Sequence, residues 1–269
     1  MIPHRDFPFI LRFEYKVEGD NVIAFTTSRK GGVSIPPFNS FNVGNYSDDN
    51  PVSIRENRRR LSDALGIDPK SLFVPKQVHG DKIVSIDNAF LSLSGHEQAV
   101  RLNECDALIT DVKNICIGVT TADCVPVLLH ASSKQVAAVV HAGWRGTVKR
   151  IAAKTVDIMR RSFGVSPSEL SAMIGPSISQ TAFEVGEEVA EAFCEAGIAV
   201  ETILKRNTET GKAHIDLWEA NRIQLIEKGL IDSRIEVSSL CTYSNPELFF
   251  SARRDGIRSG RMISGIVLL

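Results

Sequence analysis

The stretch ICIGVTTADCVPVLLHASSKQVAAVVHAGWRGT, residues 115–147, decides the fold. Its apolar runs, ICIGVTT (115–121), VPVLLH (125–130) and QVAAVVH (135–141), are short and rich in Val and Ile, so they read as strands. A tight polar turn holding Asp123 and Cys124 separates the first two. The third run ends in His141, and a glycine-rich loop, Gly143-Trp144-Arg145-Gly146, leads directly into a helical pattern. That helix is expected from about Val148 to Phe163, with Ile151, Thr155, Ile158 and Met159 on one side.

Working outward, FILRFEYKV (9–17) and NVIAFTT (21–27) read as a hairpin joined by Glu18, Gly19 and Asp20. KIVSID (82–87), ALIT (107–110), SAMIG, EVSSL (236–240) and ISGIVLL (263–269) read as further strands. Asn50 and Pro51 open a helix striped by Ile54, Leu61 and Leu65 and closed by Gly66. Ser166, Pro167 and Glu169 form an expected capping box before SAMIG. Val189 and Phe193 stripe a helix ending near Gly197, and Asp216 with Glu219 caps another ending at Gly229. Asn88 to Glu104 is weakly patterned and reads as a surface excursion. Strands and helices mix without strict alternation, which favours an α/β, single-domain layered sandwich with mixed β-sheets over a Rossmann or barrel fold. No linker or repeat divides residues 1–269, so one domain is expected.

Composition limits the function. The 269 residues carry 31 Lys+Arg against 32 Asp+Glu, a net charge of −1, which argues against a nucleic-acid scaffold or a polybasic membrane binder. Hydrophobic residues at 43% with charged residues at 23% are the mix of a soluble globular protein. The opening MIPHRDFPFI lacks the pattern of a signal peptide, and no apolar run is long enough to span a bilayer. The scattered, odd set of five cysteines suits reduced thiols in a cytoplasm. Cys105, Cys116, Cys194 and Cys241 are expected as core or near-core thiols.

The chemistry concentrates around His141, at the carboxyl end of a strand, where open α/β sheets tend to hold ligands. The glycines after it let backbone approach a ligand, the helix start favours an anion, and Arg145 adds a fork for phosphate or carboxylate. His79, in VPKQVHGDK, sits at another element end beside a glycine. Two imidazoles and the Cys124 thiolate would suit zinc with a fourth position open. The same residues would also suit a Cys–His nucleophile pair with an accessory histidine. Asp123 reads as a turn cap, with proton carrier as the alternative. TTSRKGGVSIPPFNSFNVG (26–44) carries Arg29, Ser40 and Asn42, and CTYSNPELFFSARRDGIRSGR (241–261) carries Arg253, Arg254, Arg258 and Arg261. The second segment reads equally as an anion-binding loop or an exposed salt-bridged one. His4, His96, His130 and His214 read as ordinary structural residues.

TSRKGGVS, FNSFNVG, KQVHG, ADCVPVLL, HAGWRGT, IGPSI…FEVGEEV and CTYS…FFSARRDG…SGRM together resemble the laccase-domain (YfiH-like) family across nearly the whole chain. The resemblance implies a single-domain α/β/α-type sandwich, distantly similar to a toxin deamidase domain with a Cys–His pair. It also implies a metal held by His79, Cys124 and His141. The family carries several functional labels: zinc-dependent purine nucleoside phosphorylase that also deaminates adenosine and cleaves methylthioadenosine, copper-dependent polyphenol oxidase, and peptidoglycan editing. One departure is Ser177 and Phe183 where the family frequently has GPCI…YEV, which removes a thiol and a phenol.

On the phosphorylase reading, Arg29, Arg145 and the Arg253–Arg261 loop, Arg254 included, would supply positive charge for phosphate. Ser40 and Asn42 would hydrogen-bond the purine nucleoside. A copper centre acting on a phenol could use His79, Cys124 and His141, but a trinuclear cluster needs many more imidazoles than the remaining His4, His96, His130 and His214. No His-x-His pair occurs in the sequence. A metal-free Cys–His amidase, with Cys124 as nucleophile and His141 as base, is the third reading, and a non-enzymatic binding protein the last.

Overall fold

The strand Val125–Ala131 is buried along its whole length, so both of its faces must be covered. Successive side chains in a strand point to opposite faces. Leu128 accordingly packs with Ile117, Val119 and Ile266 of a second sheet. Val125, Val127 and Leu129 face the other way, in one cluster with Ile151, Val156 and Met159 of the helix Ile151–Phe163. On the far side of the second sheet, Phe25, Ile263 and Val267 pack against Leu61 and Leu65 of the helix Pro51–Leu65. The order of layers is therefore helix, sheet, sheet, helices, the layered α/β sandwich with mixed sheets that the sequence led us to expect.

The structure is a computed structural model and describes residues 2–3, 7, 9–13 and 21–269. Among these, one six-stranded sheet runs Ile2–Pro3, Ile10–Phe13, Val22–Thr27, Met262–Leu268, Cys116–Thr121, Leu72–Phe73. The other runs Ile235–Val237, Ser171–Ile174, Val125–Ala131, Val136–Ala142, Ala107–Thr110, Ile83–Ile86. Both mix parallel and antiparallel pairs. A small third sheet joins Glu184–Val185, Ala213–Ile215 and Leu204–Arg206. Cys116–Thr121 lies in the first sheet and Val125–Ala131 in the second, so residues 122–124 carry the chain across the seam between them.

Several local expectations are corrected. The helix after His141 is broken in two, Trp144–Val148 and Ile151–Phe163, because Arg150 adopts a left-handed conformation (φ 61°) between them. Ser166 makes no capping bond; its hydroxyl meets that of Ser168, and Pro167–Glu169 is a single 3-10 turn. Asn88 to Glu104 is on the surface but helical, with Gly95–Leu102 started by a capping box between Ser94 and Glu97. The strand expected over 236–240 is Ile235–Val237, since the chain then leaves the sheet edge. Cys194 is exposed on the helix Glu187–Glu195. Asn50 and Gly66 cap Pro51–Leu65 as expected, and Asp216 caps Leu217–Glu227. Ile10–Phe13 pairs with Val22–Thr27 antiparallel, while the turn Glu18 to Asp20 and His4 lie outside the described residues.

Leu128 is fully buried between the two sheets. Leu128→Ala should lower unfolding free energy by about 2–5 kcal/mol, through lost burial and the cavity left behind. Equilibrium urea unfolding measures this, and a loss within the scatter of surface substitutions would contradict the layer order.

Candidate metal centre

The seam brings three side chains together. Cys124 follows the crossing residues, His141 lies in the neighbouring strand opposite Pro126, and His79 arrives on the loop before Ile83–Ile86. Asp123 (φ 98°) and His79 (φ 60°) both take the left-handed conformation, which turns the chain sharply at each point. One nitrogen from each imidazole and the Cys124 sulfur lie within 4.8 Å of one another. The rings of His79 and His141 meet edge to face, centroids 4.9 Å apart. His79 is exposed, Cys124 half-buried and His141 buried, so the cluster grades from solvent into the core.

Asp106, which sequence reasoning did not single out, holds this arrangement. Its buried carboxylate accepts His141 Nδ1 at 2.7 Å. The same carboxylate accepts the backbone N–H groups of Val78, His79 and Gly80 at 3.2, 3.0 and 2.8 Å. Its carbonyl accepts the His141 N–H at 2.7 Å. An imidazole bound to a carboxylate at Nδ1 carries its hydrogen there and offers Nε2 to a metal or a thiol. Gln77 adds a second tie, bonding the N–H, carbonyl and hydroxyl of Thr120 at 2.8–2.9 Å. Gly143 has to be glycine here: a Cβ would lie 2.9 Å from Cys124 Sγ and 3.1 Å from His79 Cδ2.

The electrostatics favour a thiolate. Burial pushes the Cys124 thiol up, but the charges and hydrogen bonds of His141 and His79 outweigh it and bring its pKa down to about 6. Burial likewise disfavours a charged His141, yet Cys124 and Asp106 raise it to about 9. Burial opposes the Asp106 anion too, and the His141 bond and the backbone N–H groups lower its pKa nonetheless. Zinc bonds to His and Cys at about 2.0–2.3 Å set tetrahedral ligand atoms roughly 3.3–3.8 Å apart. The three ligand atoms, all within 4.8 Å of one another, are grouped on that scale. A His2Cys donor set also suits copper. Among the described residues this is the one group of His, Cys, Asp or Glu side chains with such spacing.

The cluster floors a cavity of about 580 Å³, within the usual range for small-molecule sites. Ile178, Phe183, Ala252 and Ile257 give it apolar surface, and Arg253 and Arg261 line it with cationic side chains. Asp123 also lines it, but its oxygens accept Thr242 Oγ1 at 2.6 Å, Ser251 Oγ at 3.0 Å and the Arg253 N–H at 2.7 Å. It thereby pins the C-terminal loop to the seam. Ser177 does not reach the cavity; it is buried against Trp218 Nε1 and the Gly175 carbonyl.

Arg29, Ser40, Asn42, Arg145 and Arg254, expected at the substrate, do not line this cavity. Arg145 is exposed and stacks on Trp144, 4.3 Å from the ring centroid. Arg254 is committed to the carbonyls of Thr242, Tyr243 and Phe249 and to Asp255. Arg29 bonds the carbonyls of Asn39 and Pro246 over the Phe250 ring, and with Ser40 borders a separate depression. Asn42 is fully buried, bonded to Ser47 and Asp49 and accepting the Gly44 and Arg261 N–H groups. The helix after His141 is only five residues long.

This is a layered α/β protein with a metal-type His–Cys–His cluster at the seam between two sheets. The chain belongs to the multi-copper polyphenol oxidoreductase laccase family, whose profile matches residues 23–269. It is 43% identical over 259 residues to a purine nucleoside phosphorylase of Bacteroides thetaiotaomicron, covering 96% of each chain. It is 43% identical over 256 residues to adenosine deaminase RL5 of an unknown prokaryotic organism, covering 95% of this chain and 97% of that one. The crystal structure of the Bacillus licheniformis hypothetical protein YfiH matches with a TM-score of 0.89 at 32% identity, covering 99% of this chain and 98% of that one.

In chelator-treated protein, alkylation of Cys124 by iodoacetamide follows the thiolate fraction. Its rate should hold from alkaline pH down through neutrality and fall as pH drops through about 6. A midpoint at the ordinary thiol value of about 8.5 would contradict the ion-pair description. Asp106→Asn should weaken zinc binding by about 10–100-fold in a chelator competition. Unchanged affinity would show that the carboxylate does not orient His141.

Proposed function

We propose that the protein is a zinc-dependent purine nucleoside phosphorylase, with adenosine deamination and methylthioadenosine phosphorolysis as side activities. The observation that carries the reading is the convergence of His79, Cys124 and His141 on the floor of a cavity that can admit a nucleoside. Two relatives, one named purine nucleoside phosphorylase and one adenosine deaminase, support the same substrate class. His79, Cys124 and His141 would hold the ion. Bound there, zinc would supply a Lewis-acid charge to polarise the substrate.

The chain's own residues do the rest. Asp106 keeps His141 in one orientation and tautomer, so the donor set is formed before substrate arrives. Phe183 and Ile178 offer apolar surface against which a planar base can pack and exclude water. Arg253 and Arg261 supply positive charge to an incoming anion. Five free cysteines fit action in the cytoplasm, where thiols stay reduced. No helix among the described residues is long and apolar enough to cross a membrane.

A copper-dependent polyphenol oxidase is the second reading, favoured by the family description and by a donor set that copper also accepts. Its difficulty is ligand supply. Among the described residues His96 is exposed on its own helix, His130 is buried within a strand, and His214 bonds the Gln180 carbonyl. The Cys124–His141 ion pair also keeps the thiol-hydrolase reading open.

Zinc-loaded enzyme with inosine and phosphate should release hypoxanthine and ribose 1-phosphate. Turnover of phenols by copper-loaded protein, with none of nucleosides by either form, would give the case to the oxidase. Cys124→Ser should lower zinc content and activity together, with partial rescue by added zinc. A Cys124→Ser protein that keeps its full zinc and loses all turnover would instead identify Cys124 as a nucleophile.

A further inference from the structure

Three side chains that share an ion must be fixed against one another along three sides, and two of those sides belong to the second sheet. Asp106 binds the backbone of His79 and the ring of His141. The ladder between Val125–Ala131 and Val136–Ala142 sets Cys124 beside His141, through the pairs Val125–Ala142 and Pro126–His141. The third side, from His79 to Cys124, crosses the seam. Cys124 follows the end of Cys116–Thr121 in the first sheet, whereas His79 is exposed on the loop that Asp106 holds to the second. His141 lies within a strand with Asp106 on its ring, but Asp106 reaches His79 through the backbone N–H.

Gln77 closes that third side. Leu72–Phe73 pairs with Cys116–Thr121 only as far as Ile117. Beyond it, no strand among the described residues pairs with Thr120 on that flank. The Gln77 side chain takes the strand's place. Its Nε2 donates to the Thr120 carbonyl at 2.8 Å, and its Oε1 accepts the Thr120 N–H at 2.8 Å and the Thr120 hydroxyl at 2.9 Å. A side-chain amide can do this because, like a peptide, it both donates and accepts; a carboxylate keeps only the accepting half and a thioether neither. Gln77 lies two residues before His79, and Thr120 four before Cys124, so the pair joins the two ligands by a short route across the seam. Although Gln77 lines the cavity, both ends of its amide are committed to Thr120.

We infer that Gln77 is a positioning residue that fixes the separation of His79 from Cys124, and so keeps His79 as the third ligand of a metal held by Cys124 and His141. This rests on the metal reading of the cluster and not on the identity of the substrate. Without the amide pair, the His79 loop stays bound to the second sheet through Asp106, while Thr120 is released from it. His79, the exposed member, is then the ligand lost.

Carbethoxylation by diethyl pyrocarbonate, read residue by residue by peptide mass spectrometry on zinc-loaded and chelator-treated protein, tests this. The reagent acylates an imidazole nitrogen whose lone pair is free, so a histidine bound to zinc is protected. In the parent, zinc should protect His79, while exposed His96 reacts equally in both forms. In Gln77→Met, zinc should no longer protect His79, with His96 and His141 behaving as in the parent. Zinc affinity in a chelator competition should fall about tenfold, as for loss of other groups that orient metal ligands. Gln77→Glu should lose the protection too, because a carboxylate would face the Thr120 carbonyl. Thr120→Val keeps both backbone bonds and should retain protection and affinity. Circular dichroism and thermal unfolding establish that each variant is folded. A glutamine that served stability alone would lower the unfolding temperature and leave His79 protected. Parent-like protection and affinity in folded Gln77→Met and Gln77→Glu therefore overturn the positioning role and leave the metal reading standing. Absence of protection of His79 by zinc in the parent overturns both.

Discussion

One buried carboxylate organises the site. Asp106 binds the ring of His141 and the backbone on both sides of His79, so a single group fixes two of the three candidate metal ligands. A fully buried carboxylate is costly unless its lone pairs are met, and here four donors meet them. Loss of any one leaves the rest of the charge undercompensated, so the loop 77–80 and the strand Val136–Ala142 are held as a unit. The cluster is thereby set by the scaffold rather than assembled by the ion.

The same logic recurs at the second acid of the seam. Asp123 gathers Thr242, Ser251 and the Arg253 backbone, and so brings a segment more than a hundred residues away in sequence to the cavity. Asn42 does this for Arg261. Polar residues that look like candidates for touching substrate thus serve to place other residues that line the cavity. The two sheets give these loops a rigid base, because their facing sides share one apolar cluster.

Much of the fold was readable in the sequence because Val- and Ile-rich runs of strand length are hard to mistake. VPVLLH and QVAAVVH correspond to strands Val125–Ala131 and Val136–Ala142. Which face each residue served was not readable, since both strands are buried on both sides and carry no polar alternation. The break at Arg150 escaped notice because an arginine in left-handed conformation leaves no compositional mark. At the site, His79, Cys124 and His141 stood out by residue type at element ends. Asp106 did not, because an Asp just before a strand looks like any turn residue and its role depends on a loop and a strand some thirty residues away. Arg145, four residues after His141 in sequence, turns to solvent over Trp144, an orientation that sequence spacing does not reveal.

One metal ion held by a thiolate and two imidazoles at the seam would complete this scaffold-built donor set. X-ray absorption at the zinc edge, on protein purified without added metal, tests it directly. One sulfur neighbour at about 2.3 Å and imidazole nitrogens at about 2.0–2.1 Å are expected, with the sulfur absent in Cys124→Ser. A zinc shell of oxygen and nitrogen alone in the parent protein would contradict it.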